Sequence, residues 1–215
     1  MSAWVGGSHP VRIESLHNLH RAVQTGAVVD VLAPVGKWKV EQNGTMAMTS
    51  EGKAVWHEYA RASHVPRLID QYLTLFAEIL RHRLMKRVNK GEFAKDDSEG
   101  KRFLIDAYTD LHLGFTGIHP YADGNGRLAR LLANIPVLRA GFPPILISVK
   151  RRRDYFMMMG DYSLNLGQPK PGHDLVCHGQ QRDALRDFFA EEWNLSLTTV
   201  AEFHTRQQRR NVEGG

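Results

Sequence analysis

The chain has 215 residues, of which 42% are hydrophobic and 24% charged, and its formal net charge is +5. This length and composition are typical of a single globular domain, which would span residues 1–215. The lone cysteine, Cys177, excludes an internal disulfide, and no apolar run approaches the roughly 20 residues of a membrane-spanning helix. Because no charged-then-apolar leader opens the chain either, the sequence predicts a cytoplasmic protein with no membrane partner; export by a route that leaves no signal peptide is the alternative.

Helical periodicity predicts a first helix that ends near Gly26. His17 and His20 lie in this segment, but no set of carboxylates or cysteines completes a metal site, so we interpret both as core or surface histidines. The pattern is set by four apolar residues at helical spacing: Ile13, Leu16, Leu19 and Val23.

A β-hairpin is predicted in the segment that follows, where the helical period disappears between Val28 and Ser63. Asn43-Gly44 is a strong two-residue turn signal, and it lies between residues 37–42 and 45–50. We therefore expect a hairpin whose turn is Asn43-Gly44; the alternative is an ordinary surface loop.

A long helix is predicted to begin at Val65-Pro66, because proline is tolerated in a first turn. Residues 89–100 are polar and charged and are predicted to form a loop. Beyond them, apolar residues at helical spacing predict a helix on each side of residues 119–130.

The second of these two helices contains Pro136, which is expected to kink or end it. Gly141 and the prolines after it predict a stop, followed by a further helix around Tyr155. Residues 169–179 then form a predicted loop before a long amphipathic C-terminal helix. The whole pattern predicts a mostly α-helical fold with one small hairpin.

The connection at residues 119–130 reads His-Pro-Tyr-Ala-Asp-Gly-Asn-Gly-Arg-Leu-Ala-Arg and crowds polar residues between two buried helices. Gly124-Asn125-Gly126 leads into the second helix, where free backbone N–H groups and the helix dipole favour an anion. Arg127 and Arg130 project from the first turn on nearly one face. Two guanidinium groups beside free N–H donors suit a chain of phosphates better than a single carboxylate.

Two further residues of this connection, Asp123 and His119, indicate cation binding and proton transfer. Phosphates would repel Asp123 unless a cation lies between them, and a Mg²⁺-type ion held by one carboxylate and phosphate oxygens resolves that conflict. His119 lies at the mouth of the predicted site, where it could take a proton from an incoming hydroxyl.

Residues 119–130 resemble the signature of the Fic family, HPFx(D/E)GNGRxxR, at every specified position except Tyr121, which stands where the family usually has Phe. That ring is expected to pack inward, so the Tyr121 hydroxyl needs a hydrogen-bond partner. The resemblance extends to residues 138–144 and Tyr155-Phe156 and, more loosely, to residues 13–17 and 36–39.

This resemblance implies a Fic-type helical domain in which a β-hairpin flap, at roughly 36–63, covers the nucleotide and aligns the target segment by strand addition. It also implies transfer of AMP from ATP to a Ser, Thr or Tyr hydroxyl of a target protein, with Mg²⁺ as cofactor. Tyr155 matches a position whose ring contacts the nucleotide base; a core aromatic is the alternative.

Within that reaction, the backbone of residues 124–126 and the Asn125 side chain are expected to orient the α- and β-phosphates. Arg127 is expected to neutralise the departing pyrophosphate, and Arg130 to hold the γ-phosphate. The work of the site would then be positioning and charge neutralisation.

Other functions remain open at this point. The motif also fits transfer of another nucleotide or phosphate-linked group, or removal of AMP, and a phosphate- or nucleic-acid-binding module is the non-enzyme alternative. Basic runs at 150–153 and 206–210 lack interleaved aromatics, so we interpret them as solvated faces, with attraction of an acidic partner or a nucleotide as the alternative.

Many Fic proteins carry an inhibitory helix with the pattern (S/T)xxxE(G/N), whose Glu pairs with the second motif Arg, here Arg130. Thr198 and Glu202 match this pattern in part, but Phe203 replaces its small residue. Glu202 is therefore a candidate inhibitor, and a surface residue otherwise; in that case restraint comes from a separate small partner, from sequence outside this chain, or is absent.

Overall fold

The computed structural model describes residues 6, 10–26, 34–83, 85 and 97–213, apart from the side chains of residues 204 and 208–213. Within these ranges the chain forms six α-helices and one two-stranded antiparallel sheet, which confirms the predicted fold class. No helix in the described part of the chain is both long and apolar enough to cross a membrane. In chain order the elements are α1 (Ile13–Gln24), β1 (Gly44–Met48), β2 (Ala54–Glu58), α2 (Val65–Arg81), α3 (Ser98–Ile118), α4 (Asn125–Arg139), α5 (Arg152–Leu166) and α6 (Gln180–Glu213).

Helix α3 lies at the centre of the core, because α2, α4 and α6 all pack against it. Apart from Asp110, its residues from Ala107 to Ile118 are all buried, including small and polar ones such as Gly114 and Thr116. Each large apolar side chain buried in this way contributes about 1.5–3 kcal/mol. The helix is therefore a firm support for the residue that follows it, His119.

Helices α1 and α2 confirm the predictions made for them. Helix α1 ends at Gln24, two residues before Gly26, and Pro66 lies in the first turn of α2. Helix α1 packs on α4 and buries Leu16 and His20 on its inner face. Its position brings the end of α1 next to the connection between α3 and α4.

The hairpin exists, but its predicted turn is wrong. Strand β1 pairs with β2 from Gly44 opposite Glu58 to Met48 opposite Ala54, so residues 49–53 form the connection and Asn43-Gly44 lies where the hairpin begins. Residues 37–42 are not a strand of this hairpin. Within them, the backbone N–H of Lys39 donates to Pro120 O of the motif at 2.9 Å. Gly44 serves close packing, because a Cβ there would collide with the Trp56 ring.

Two boundaries also differ from the predictions. The predicted loop at residues 89–100 runs too far, because Ser98 begins α3 and Asp97 caps it by accepting from Gly100 N at 2.8 Å; residues 89–96 lie outside the described residues. Helix α4 continues past Pro136 to Arg139. Pro136 lacks the N–H that would donate to Leu132 O, and the helix ends within one turn after it.

The stop at Gly141 and the last two helices are confirmed, with Gly141 at φ 77°. Helix α6 packs against α3 and α5. Helix α5 also supports the hairpin, since a Cβ at Gly160 would collide with the Met48 carbonyl group. The hairpin, α5 and the connection between α3 and α4 thus face one another.

Candidate active site

The motif loop, residues 119–124, turns the chain sharply between α3 and α4. His119 has φ 51° and is the one non-glycine residue with positive φ in the described part of the chain; Gly124 follows at φ 80°. Asn125 and Gly126 form the first turn of α4, and no side chain caps its N–H groups. The first turn of α4 therefore offers the free backbone donors that were expected for an anion.

The Asn125 side chain holds the motif loop in place through two hydrogen bonds to the Tyr121 backbone. Its Oδ1 accepts from the Tyr121 N–H at 2.9 Å, and its Nδ2 donates to the Tyr121 carbonyl oxygen at 2.8 Å. The Asn125 side chain is buried, and its oxygen and its nitrogen each make one of these bonds. The phosphate-binding role of Asn125 stays a prediction; in this geometry its backbone N–H, which no side chain caps, is a donor for such a ligand.

The Tyr121 ring is buried, and its hydroxyl has the partner that the sequence required, His17 Nδ1 at 3.2 Å. His20 stacks on the same ring at 3.9 Å between centroids. Gly36 N–H donates to His20 Nδ1 at 2.8 Å, so Nε2 carries the hydrogen and donates to Asp123 O at 3.0 Å. Both histidines of α1 thus serve to hold the motif loop.

His119 is oriented for proton acceptance. Its Nδ1 lies 3.2 Å from Thr116 O, and since a carbonyl can only accept, Nδ1 carries the hydrogen and Nε2 is left as the acceptor. The Tyr59 ring stacks on the imidazole at 3.6 Å with planes 7° apart. Burial lowers the pKa of His119 to about 3, and the nearby charge of Lys39 acts in the same direction. The imidazole is therefore neutral at physiological pH.

Lys39 lies under the same loop and was missed as a site residue. Its ammonium group donates to Asn43 Oδ1 and, at 3.5 Å, to Ile118 O, the carbonyl just before His119. Burial lowers the pKa of Lys39 to about 8. The basic residue of the Gly36–Lys39 segment was the only sequence signal for it.

Asp123 and Arg127 form an ion pair at 3.1 Å between Oδ2 and Nη2. Arg127 also donates to Val23 O at 3.1 Å and to Gln24 Oε1 at 2.8 Å, so the end of α1 fixes the guanidinium group. Asp123 Oδ1 has no hydrogen-bond partner among the described residues. One carboxylate oxygen thus remains available to a cation.

Arg130 and Tyr155 meet on the other side of the loop. The Tyr155 hydroxyl lies 2.9 Å from Nε2 of buried His112. Burial raises the pKa of Tyr155 to about 12, while the charge of Arg130 and a hydrogen bond with it act in the opposite direction. His112 was not anticipated, because a histidine inside a buried helix has no distinguishing sequence pattern.

Eight of the nine predicted site residues line one cavity of about 400 Å³. Its remaining walls come from β1, Tyr59 and α5, including Met46, Phe156 and Met159. The eight are His119, Asp123, Gly124, Asn125, Gly126, Arg127, Arg130 and Tyr155.

Glu202 is the predicted residue that the structure does not bring to this cavity. It lies on the exposed surface of α6, with its Oε2 3.6 Å from Nη2 of Arg206. Among the described residues that line the cavity, Asp123 is the only acidic one. An inhibitory role for Glu202 stays a prediction.

Asp123 is the one carboxylate that the described lining of this cavity offers to a metal ion. Within the described residues, no group of three or more His, Cys, Asp or Glu side chains could hold a metal ion. A site with one carboxylate suits a hard cation such as Mg²⁺, which takes its other ligands from phosphates and water.

Known proteins resemble parts of this sequence. Protein adenylyltransferase Fic of Nematostella vectensis is 53% identical over 71 residues, which are 33% of this chain and 16% of that protein. Protein adenylyltransferase fic-1 of Caenorhabditis elegans is 42% identical over 60 residues, which are 28% of this chain and 11% of that protein. The matches therefore span less than a fifth of either relative's length.

Solved structures share the fold. A Fic-domain-containing signalling protein of Bacteroides thetaiotaomicron matches with a TM-score of 0.60 and 20% identity, over 93% of this chain and 68% of that one. Fic-1 of Caenorhabditis elegans, residues 134–508, matches with a TM-score of 0.58 and 20% identity, over 93% of this chain and 46% of that one. A model of the Fic/DOC family also matches residues 10–136, more than half of the sequence. The chain belongs to the Fic/DOC family.

Proposed function

We propose that this protein transfers AMP from ATP to a Ser, Thr or Tyr hydroxyl of a target protein. The partial matches to proteins named protein adenylyltransferase support this reaction. The observation that carries the proposal is the cavity in which an uncapped helix N-terminus, two arginines and a neutral histidine meet. Phosphate binding alone would not require the histidine.

The triphosphate is proposed to bind at the start of α4. The backbone N–H groups of residues 125–127 have no capping side chain and can donate to the α- and β-phosphates. Arg127 and Arg130 then neutralise the β- and γ-phosphates. For the base, the Tyr155 ring and the apolar side chains Phe156 and Met159 offer a wall of the cavity.

Mg²⁺ is the proposed cofactor, held by Asp123 and phosphate oxygens. The free Oδ1 of Asp123 supports this assignment, and Asp123 is the one carboxylate among the described residues that line the cavity. When bound, the ion supplies charge neutralisation on the phosphates. Asp123 then shares its other oxygen with Arg127, which keeps both side chains in place beside the helix N-terminus.

In the proposed reaction the target hydroxyl oxygen bonds to the α-phosphorus, and its proton goes to Nε2 of His119. The bond from the α-phosphorus to the oxygen that bridges it to the β-phosphate breaks, and pyrophosphate leaves with the electron pair. Arg127 and Arg130 stabilise the charge on that leaving group. Products are an AMP phosphodiester on the target and pyrophosphate.

The target is proposed to approach along the hairpin, which borders the cavity through Met46 and Met48. Strand addition at a hairpin edge would hold an extended segment of the target in register with the nucleotide. We also propose a cytoplasmic location, where the free thiol of Cys177 would remain reduced.

Labelled nucleotides test the proposal directly. The protein is incubated with a cell lysate and ATP labelled either at the α-phosphate or at the γ-phosphate. Protein-bound label from α-labelled ATP alone is the expected result, and unlabelled ATP should compete better than GTP or UTP. Label arriving from the γ-phosphate, or release of AMP from a previously modified protein without any addition, would contradict it.

A further inference from the structure

The segment between α4 and α5 places unusual charge beside the hairpin. Arg151 is neutralised, because its Nη1 pairs with Glu191 and its Nε lies 3.6 Å from Asp154 Oδ2. Lys150, Arg152 and Arg153 are exposed and have no ion pair with any carboxylate of the described residues. Three of the four positive charges in this run are therefore available to a partner.

Two of these cations, Arg152 and Arg153, line a groove of about 520 Å³, which we call the basic groove. Val149 is 88% exposed and Phe156 is 52% exposed, and the guanidinium group of Arg152 lies 5.4 Å from the Phe156 ring centroid. Met side chains adapt to different apolar groups, which suits a recognition surface. The groove is lined by Met48 at the end of β1 and by Val149, Arg152, Arg153, Phe156 and Met157.

The basic groove continues into the candidate active site. Met48 and Phe156 line both the groove and the 400 Å³ cavity that holds His119. A chain lying in the groove would therefore continue towards the point where a hydroxyl must meet the nucleotide.

The chemistry of the groove selects one class of occupant. Sequence-tolerant nucleic-acid binding uses several exposed aromatic rings for successive bases. Among the described residues that line the groove, Phe156 is the one aromatic side chain, and the other large apolar side chains are Val and Met. Such walls fit an aliphatic side chain, and the unpaired cations fit carboxylates next to it.

We propose that the basic groove binds an acidic segment of the target protein, anchored by one apolar side chain and adjacent to the hydroxyl that is modified. This inference rests on the proposed function and names the kind of sequence that the enzyme selects. Exposed cations contribute mainly to selectivity and association, whereas the apolar anchor adds buried area.

The test measures peptide binding without nucleotide, so that it does not depend on catalysis. The probes are three fluorescein-labelled peptides that share one Ser and one Leu and differ in the surrounding residues: Asp and Glu, their amides Asn and Gln, or Lys. A labelled single-stranded oligonucleotide is the fourth probe. Fluorescence anisotropy with the full chain gives each affinity.

The acidic peptide should bind about tenfold more tightly than its amide counterpart at low salt, with the preference fading as salt is added. Charge reversal by Arg152→Glu with Arg153→Glu should abolish that preference and create one for the Lys peptide. Val149→Ser should weaken binding of the acidic peptide about threefold, and a Leu→Ser version of the peptide should be insensitive to it.

The matched control is Arg81→Glu with Arg102→Glu, which changes the net charge by the same amount. Both residues are exposed and unpaired in the described structure, and Arg102 lies about 25 Å from His119 along α3. This control should keep the acidic preference. Circular dichroism and ATP binding confirm that each variant is folded.

Equal binding of the acidic and amide peptides, or an acidic preference that survives charge reversal, would overturn the inference. Tight oligonucleotide binding that Arg152→Glu with Arg153→Glu removes, without a peptide preference, would reassign the groove to nucleic acid. Failure of AMP transfer with the peptide preference intact would instead count against the proposed function alone.

Discussion

The motif loop and the hairpin border the same cavity but are held in different ways. Hydrogen bonds on its inner side hold the motif loop in place. Asn125 bonds to Tyr121, His20 to Asp123, and Lys39 to Pro120. The hairpin instead presents exposed large side chains, including Met46, Met48 and Trp56, and rests on α5. One wall is specified by internal polar contacts, and the other is largely free to meet a partner.

This difference matches the demands of the proposed reaction. Proton transfer and phosphate binding need fixed donors and acceptors within a fraction of an ångström. Target recognition tolerates adaptable apolar surface, which methionine provides. Changes in the motif loop should therefore alter catalysis or folding, and changes in the hairpin should alter how the site is covered.

The largest effect on AMP transfer is expected for His119→Ala, which removes the proton acceptor at the start of the motif loop. AMP transfer should fall about 10²–10⁴-fold, while ATP binding is nearly unchanged, because the imidazole acts on the hydroxyl and not on the phosphates. Transfer of α-phosphate label and ATP binding by calorimetry measure the two. His173→Ala, at an exposed loop position, is the control. Full activity without His119 would remove it as the base.

Removal of the cation comes next. Asp123→Ala should weaken Mg²⁺-dependent ATP binding and lower transfer about 100-fold or more, and EDTA should silence the unmodified protein. Asp123→Asn keeps the shape and a hydrogen bond to Arg127 but loses the negative charge, so it should behave like Asp123→Ala towards Mg²⁺. Activity that is indifferent to EDTA would exclude the metal role of Asp123.

The internal clamp of the loop predicts an effect on stability. Asn125→Ala leaves the Tyr121 N–H and C=O without their partners, which should lower the free energy of unfolding by about 2–4 kcal/mol. Asn125→Asp retains the acceptor for the N–H but places a buried carboxylate oxygen against the Tyr121 carbonyl oxygen, so it should cost at least as much. Urea unfolding followed by circular dichroism gives both values. An unchanged midpoint for Asn125→Ala would show that the loop does not depend on this clamp.

Sequence patterns predicted this site well where function depends on residues that are close together in the chain. Asp123, Gly124, Arg127 and Arg130 lie within eight positions, so loop chemistry and helix geometry alone place them on one cavity. The helices were predicted equally well, because their apolar residues recur at 3.6-residue spacing.

Contacts between residues far apart in the chain could not be predicted from the sequence in the same way. Gln24 meets Arg127 across 103 positions, and Tyr59 stacks on His119 from the end of the hairpin. The Asn43-Gly44 turn failed for the same reason, since the Asn43 side chain donates to Tyr121 O, 78 positions away, and also accepts from Lys39 Nζ. Tertiary contacts of this kind override local turn preference.

The contact between hairpin and loop predicts a pH effect. Burial lowers the pKa of His119 from 6.5 to about 3, so the folded protein loses its neutral base only as the pH approaches 3. The same shift stabilises the fold above pH 6.5, and this contribution is lost as the pH falls from 6.5 towards 3. At mildly acidic pH, the unmodified site should therefore keep its base.

Tyr59→Ala exposes the face of the imidazole to water and should raise the pKa of His119 towards its ordinary value. The acid limb of the single-turnover rate should then move to higher pH, whereas Tyr59→Phe, which keeps the stacked ring, should leave it in place. NMR titration of labelled His119 measures the same shift directly. Coincident titration curves for Tyr59→Ala and the unmodified protein would mean that Tyr59 does not control the burial of the base.

The smallest effect on activity is expected at Glu202, which lies outside both the motif loop and the hairpin. This residue is exposed on α6 and lies 3.6 Å from Arg206, and no contact links it to Arg130 or the cavity. Glu202→Gly should therefore leave automodification unchanged and alter stability by about 1 kcal/mol or less, mainly through the helix propensity of glycine. Glu202→Gln, which removes the charge without that penalty, is the matched control. A clear rise in automodification with both variants would instead mean that α6 reaches the arginines of the site in another arrangement, and Glu202 would then be the inhibitor. Equal rates would direct the search for restraint to a separate small partner or to sequence beyond this chain.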